Sequence, residues 1–259
     1  MATEIHESAL VSTSAKLGSD CRIGPFCVVG KDVSLGNRVV LESHVVVDGT
    51  TTVGDETRIF PFVSIGLAPQ DLKYAGEPTS TEIGKRNQIR EFVTIHRGTV
   101  GGGGVTRIGD DNLLMAQAHV AHDCTIGNNV IMANAATLAG HVEIADRANV
   151  GAYSGVHQFC RVGLEAFIGG YSVVVKDAPP FAIIQGNHAK CYGLNRIGMR
   201  RRGYPATTIR KLGHAFHLLL SSKLNTTQAL EKIAEEISDC QEVELLIEFI
   251  KTSKRGIVK

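Results

Sequence analysis

An aliphatic residue falls on every sixth position from Ile108 to Val174, through Leu114, Val120, Ile126, Met132, Leu138, Ile144, Val150, Val156, Val162 and Ile168. Four positions after nearly every one stands a small residue, among them Ala118, Cys124, Ala136, Ala148, Ser154 and Cys160. Period six is neither the 3.6-residue period of a helix nor the two-residue alternation of a strand. A coil that turns a corner every six residues shows it. Such hexads stack into a parallel β-helix, where each repeat buries its inward residue only against its neighbours.

The same period begins at Ile5 and runs through Val11, Leu17, Ile23, Val29, Leu35, Leu41, Val47, Val53 and Ile59 to Ile65, then resumes at Ile83, Ile89 and Ile95. Glycine directly follows several of these (Gly18, Gly24, Gly30, Gly36, Gly54, Gly66), which reads as corners that need a permissive backbone. With three hexads to a coil of 18 residues, Val120, Leu138, Val156 and Val174 share one face, and counting back adds Ile95 and Ile65. The two interruptions, 66–82 and 96–107, then leave the prism from one edge on adjacent coils. The expected prism covers 1–177.

Beyond Val174 the period stops at Asp177-Ala178-Pro179-Pro180. A connector, 178–204, leads to a small helical domain, 205–259. Its first helix starts at Pro205 and carries Ile209, Leu212, Phe216, Leu219 and Leu220 at helical spacing. Asn225 with Gln228 forms a capping box for a second helix running to about residue 237. A third, from about 241 to 252, presents Val243, Leu246, Ile247 and Ile250.

Composition sharpens this picture in three ways. With 28 Gly, only 5% aromatics and no Trp in 259 residues, the chain suits a thin coil packed with aliphatics. A net charge of +1 gives no whole-chain sign of a nucleic-acid or membrane surface. The start lacks the basic and apolar regions of a signal peptide and no run approaches transmembrane length, so no membrane insertion and a cytoplasmic location are expected. Of six cysteines, Cys21, Cys27, Cys124 and Cys160 occupy the small-residue slot of a hexad and read as packing. No CxxC spacing or metal-type Cys/His cluster appears, and no metal is expected.

The candidate chemistry lies on the face that carries the loops. His96, His122, His141 and His157 follow Ile95, Val120, Leu138 and Val156 by one, two, three and one residues. Stacking predicts a ladder along a single edge, with rungs about 4.8 Å apart, beside a loop carrying Gln70, Asp71 and Lys73. A neutral imidazole suits a general base, and Asp123, next to His122, suits a partner that fixes its tautomer. Gly140 offers a backbone N–H with no side chain in front of it, as an oxyanion site needs. Arg200, Arg201 and Arg202 follow the prism; a triple Arg is ordinarily a solvated face, but near a site it suits a diphosphate or an acidic protein.

Several segments resemble the bacterial UDP-N-acetylglucosamine O-acyltransferases of lipid A biosynthesis. They are Gln70-Asp71-Leu72-Lys73-Tyr74, Ile95-His96-Arg97-Gly98-Thr99, Ala118 to Cys124, Gly140-His141, Val156-His157-Gln158-Phe159 and Gln185-Gly186-Asn187-His188-Ala189. The resemblance covers essentially the whole chain. It implies a left-handed β-helix and a homotrimer, with an (R)-3-hydroxyacyl group moving from acyl carrier protein to the glucosamine 3-hydroxyl. No cofactor is implied beyond the 4′-phosphopantetheine thioester of that carrier. Residue by residue it implies His122 as general base, Asp123 as its partner and Gly140 as the oxyanion amide, with Asp71 and Lys73 as sugar contacts from an adjoining subunit. Gln70, His96, His119, His141, His157, Gln158, Asn195, Arg201 and Arg202 match binding positions around sugar, acyl group and UDP. One departure stands out: Asn195-Arg196-Ile197-Gly198 lacks the acid that familiar members carry before the basic run.

Gly170 is a candidate ruler for the acyl chain, and the resemblance points to the same position. It follows His122 by 48 residues, about 2.7 coils or roughly 13 Å along the axis, a length that about ten carbons span. Glycine there would leave the groove open past that point, and a longer donor of about fourteen carbons is expected. Three other readings remain at this stage: a purely structural prism, a coenzyme A-dependent acetyltransferase, and the glucosamine N-acyltransferase of the same pathway. The last carries an extra N-terminal domain, for which a repeat starting at Ile5 leaves no room.

Overall fold

The computed structural model describes residues 2–259. Short strands, mostly two residues long, stack into three parallel sheets: sheet 1 of eleven strands, sheet 2 of nine and sheet 3 of eight. Each inward aliphatic sits over its equivalent one coil away, as in Ile65↔Ile95↔Val120↔Leu138↔Val156↔Val174 on sheet 2. Ile65, Ile95, Val120, Leu138 and Val174 are fully buried. Each coil gains both apolar contact and a set of interstrand hydrogen bonds only from the next coil, so the prism is stable as a stack.

The corners follow a rule that differs from the sequence expectation. The residue three positions after most inward aliphatics takes a left-handed conformation, with φ from 55° to 64°, and it is not glycine: Phe26, Arg38, His44, Asp123, His141 and Tyr171 are examples. Each such corner costs about 1 kcal/mol for an ordinary side chain, and coil-to-coil hydrogen bonds offset it. The glycines directly after the aliphatics serve another purpose. A Cβ at Gly18 would stand 2.5 Å from the Gly36 carbonyl carbon, and one at Gly54 would stand 2.6 Å from that of Gly84. They permit close approach between coils, and of the six named in the sequence only Gly66 has a positive φ.

Both inserted loops connect sheet 2 to sheet 3. The first lies between strands Ser64–Leu67 and Ser80–Ile83, the second between Thr94–His96 and Val105–Ile108, where it holds a short 3-10 turn at Val100–Gly102. The segment after Asp177 is more ordered than a plain connector. Strand Ala182–Gln185 adds to sheet 1 in parallel beside Phe167–Ile168, and Lys190–Leu194 pairs back on it antiparallel. Helix α1 (Arg196–Arg201) follows, then α2 (Ala206–Leu220), α3 (Thr226–Glu236) and α4 (Gln241–Lys251). Asn225 and Gln228 form the capping box of α3. Arg161 ties the helices to the prism: it pairs with buried Asp177 at 3.1 Å, donates to the Phe249 carbonyl and lies 4.4 Å over the Phe249 ring. Among the described residues no helix is long and apolar enough to cross a membrane.

Candidate active site

Strand His119–Val120 ends on sheet 2, and the next residues turn the corner toward Thr125–Ile126 on sheet 3. Neighbouring side chains on a strand point apart, but Asp123 sits at the left-handed corner (φ 60°). Its Oδ2 lies 2.7 Å from His122 Nδ1. The carboxylate is fully buried, two more contacts hold it and a third holds the Asp123 backbone. The Thr99 backbone N–H donates to Oδ1 at 2.8 Å, the Thr99 hydroxyl donates to Oδ2 at 2.6 Å, and the Asp123 N–H donates to Thr106 Oγ1 at 2.8 Å. The second loop thus reaches back to fix the acid. An acceptor on Nδ1 selects the tautomer with its proton there and leaves the Nε2 lone pair available. The hexad pattern assigns no role to Thr99 or Thr106, since nothing in it shows which way an insertion folds.

The histidines do not form one four-rung ladder. They form two ring pairs, His96 with His119 and His122 with His141, each with centroids 5.1 Å apart and edge-on. His157 is exposed, its Nδ1 3.1 Å from the Gln158 carbonyl. The reason is the unequal offset after the inward aliphatic: one, two and three positions into a corner point in different directions, so a shared sheet does not give a shared column. The next coil places Phe159 at the corner position, stacked on His141 at 4.3 Å. His119 Nδ1 lies 2.7 Å from Thr94 Oγ1.

Burial sets the charge of this group. His96 is 6% exposed, and desolvation, then the neighbouring His119 and His122, push its pKa down to about 4. Desolvation likewise lowers His119, with His122 adding to it. For His141 desolvation also prevails, against the opposing pull of Asp123. Neutral imidazoles can donate and accept hydrogen bonds without bringing positive charge beside His122.

Gly140 lies one coil from His122, under its ring. A Cβ there would meet His122 Cε1 at 2.6 Å and Nε2 at 2.8 Å. The position therefore needs glycine to seat the base. A cavity beside it is lined by Asp71, Lys73 and Tyr74 of the first loop, Thr99 of the second, and His141 and Phe159. Both loops of one chain thus face the histidine edge. Gln70 is exposed on the same loop, and Asp71 Oδ1 accepts from the Lys73 N–H at 3.0 Å. Ligand atoms of His122, Asp123 and His141 all fall within 4.8 Å, a grouping that spacing in the sequence does not reveal. Asp123 already accepts from Thr99 and His122, so the arrangement reads as a hydrogen-bonded acid–base pair.

The chain as a whole is similar to proteins of known activity. Over 261 aligned positions the chain is 50% identical to the acyl-[acyl-carrier-protein]–UDP-N-acetylglucosamine O-acyltransferase of Verminephrobacter eiseniae, covering 99% of this chain and all of that protein. The chain belongs to the UDP-N-acetylglucosamine O-acyltransferase family. Residues 177–258 match the model of that family's second domain, and 14–49 and 105–140 match the bacterial transferase hexapeptide repeat. Among solved structures, LpxA of Acinetobacter baumannii is 45% identical over 98% of this chain and 99% of its own, with a TM-score of 0.96. The UDP-N-acetylglucosamine O-acyltransferase of Moraxella catarrhalis gives 44%, the same coverage and a TM-score of 0.95. The prism is accordingly the left-handed parallel β-helix of this O-acyltransferase family.

Two groups of expected site residues lie on other edges of the single chain. Arg201 and Arg202 line a second cavity with Asn195, Arg147 and Glu165. Arg147 and Glu165 are corners between sheets 3 and 1. The Asn195 side chain accepts from the Gly198 N–H and caps α1. Gly170 lies between Phe167–Ile168 of sheet 1 and Val173–Val174 of sheet 2. A straight groove from His122 to Gly170 within one chain is therefore excluded. Their 48-residue separation is two full coils of 18 and a remainder of two thirds of a turn, which carries Gly170 to the neighbouring edge.

Proposed function

We propose that the chain transfers an (R)-3-hydroxyacyl group from the phosphopantetheine thioester of acyl carrier protein to the 3-hydroxyl of UDP-N-acetylglucosamine, the opening step of lipid A synthesis, in the cytoplasm. The observation that carries the mechanism is the buried Asp123 carboxylate 2.7 Å from His122 Nδ1. His122 Nε2 takes the proton of the sugar hydroxyl as its oxygen attacks the thioester carbonyl. Asp123 stabilises the imidazolium that results. The Gly140 N–H receives the tetrahedral oxyanion. Collapse expels the carrier thiolate, which takes the proton back from His122. His96, His119 and His141 line the sugar and acyl path as neutral hydrogen-bonding groups, joined by His157 and Gln158, with Gln70, Asp71 and Lys73 closing over it.

The acting unit in this reading is a homotrimer. What supports it is that the histidine edge, the arginine cavity and Gly170 stand on three different edges of one prism, so a neighbouring copy is needed to bring any two together. An apolar stripe also awaits cover on the Gly170 edge: Phe26, His44, Phe62 and Phe92 stack there at 4.8–5.0 Å, and the three Phe are 50–58% exposed. Exposed aromatic runs of this kind mark contact surfaces. Sedimentation should give a trimer; a 27.8 kDa species at micromolar concentration would refute this.

The activity test offers the protein 3-hydroxyacyl-carrier thioester with UDP-N-acetylglucosamine, and separately acetyl-CoA with common amines. Ester formation with the first pair only is expected. His122→Ala should lower kcat by about two to four orders of magnitude, the range of general-base loss, with the fold intact. Retained turnover would move the base to another residue, His141 being the next in position.

A further inference from the structure

The arginine cavity contains a charge that the reaction itself does not use. Glu165 is 1% exposed at a left-handed corner with φ 56°. Arg147 Nη1 and the Tyr204 hydroxyl each donate to its Oε1 at 3.1 Å, and Arg202 Nη1 stands 3.1 Å from its Oε2. Arg202 Nη2 donates further to the Arg147 carbonyl at 3.0 Å. Burial, reinforced by the Glu165 charge, pushes the Tyr204 phenol up to about 12, so it remains a donor. A buried carboxylate is strongly unfavourable without such partners.

The arrangement constrains Arg202 in particular. It caps the C-terminus of α1, on a side chain that ordinarily carries about 2 kcal/mol of rotamer entropy. Nη2 donates to the prism backbone and Nη1 stands at ion-pair distance from Glu165, yet 35% of the side chain remains exposed at the cavity. Three guanidinium groups, Arg147, Arg201 and Arg202, against one carboxylate leave two net positive charges around a cavity of about 450 Å³. That balance matches a diphosphate, whose oxygens are best met by preorganised guanidinium forks.

We propose that Glu165 is a positioning residue for nucleotide recognition: it holds Arg202 and Arg147 in the geometry that receives the diphosphate, and touches neither the acyl group nor the reacting atoms. This rests on the reading above that Arg201 and Arg202 contact UDP. A structural ion cluster would change stability alone, whereas a positioning role changes nucleotide affinity at constant chemistry.

The test compares Glu165→Gln, Glu165→Asp and Arg202→Ala by steady-state kinetics with each substrate varied in turn at saturation of the other, with UDP binding by calorimetry on the same folded trimers. Glu165→Gln should raise KM for the nucleotide sugar and the Kd for UDP about tenfold, leave kcat within about twofold, and leave KM for the carrier unchanged. Glu165→Asp, which keeps the charge, should recover part of the affinity, and also serves if the Gln variant does not fold. In an Arg202→Ala background, Glu165→Gln should add little, because the two act through one interaction. If Arg202→Ala weakens UDP binding but neither Glu165 variant does, the positioning role is overturned while the arginine reading stands. If none of the three changes UDP affinity, the arginine reading itself falls, and the proposal with it.

Discussion

Gly140→Ala isolates one contact of the site. Gly140 does not have a positive φ, so alanine is compatible with its backbone and only the added methyl matters. That methyl would stand 2.6 Å from His122 Cε1 and 2.8 Å from Nε2, against an ordinary contact distance of 3.4 Å or more. The ring must therefore move by about 0.8 Å, the difference between those two distances. A shift of this size away from Gly140 stretches the 2.7 Å bond to Asp123 toward the limit at which a hydrogen bond is lost. Misplacing a catalytic group by about 1 Å costs on the order of 100-fold in rate. The expected result is a kcat about 100-fold lower with acyl carrier thioester and UDP-N-acetylglucosamine. Stability should fall by no more than about 1–3 kcal/mol, the usual overpacking cost. The control is the same substitution in His122→Ala: with the ring gone the methyl has room, and the second change should be nearly silent. A Gly140→Ala enzyme within threefold of wild-type kcat would refute the claim that glycine is there to seat the base. An additive double variant would show that the methyl acts elsewhere.

Two further outcomes follow from burial and from the edges. With its pKa at about 4 in the folded chain against about 6.5 unfolded, His96 lets the unfolded chain bind a proton that the native chain refuses. Stability is then lost as pH falls from about 6.5 to about 4, by up to about 3 kcal/mol for this one group. Urea titrations should show a shallower pH dependence for His96→Gln across that window, and equal slopes would exclude the assignment. Gly170→Met should shift donor preference from about fourteen carbons toward about ten, because a neighbouring prism with its axis parallel would keep the axial offset of roughly 13 Å between His122 of one copy and Gly170 of the next. The nearest atom to a Cβ there is the Ala152 carbonyl oxygen at 3.3 Å, so the side chain can extend from the edge where a neighbouring copy would bring the acyl chain. Competition between the two thioesters measures it, and an unchanged ratio would remove Gly170 from the acyl path.

How much was legible in advance depended on whether a feature repeats. The inward aliphatics recur every six residues, and stacking them fixes the sheets, the faces and the edge from which both loops leave; the paired register of Ile65, Ile95, Val120 and Leu138 is that count made physical. Chemistry at a corner does not repeat in this sense. Whether His122 meets Asp123 depends on a single φ of 60° at Asp123 and on Thr99, which lies in an insertion outside the period. The four-rung ladder fails for the same reason, since a shared face does not fix the offset within each corner. Glycine misleads in a complementary way: the six-residue pattern puts it beside the corner, where a permissive backbone is the natural expectation. The left-handed residues are instead non-glycine side chains two positions later, Asp, His, Phe and Arg among them, while the glycines make room for the next coil. Gly140 extends that packing rule to the site. One coil beyond His122 the same need for space admits an imidazole in place of backbone, so the prism seats its base with the device it uses to stack its coils.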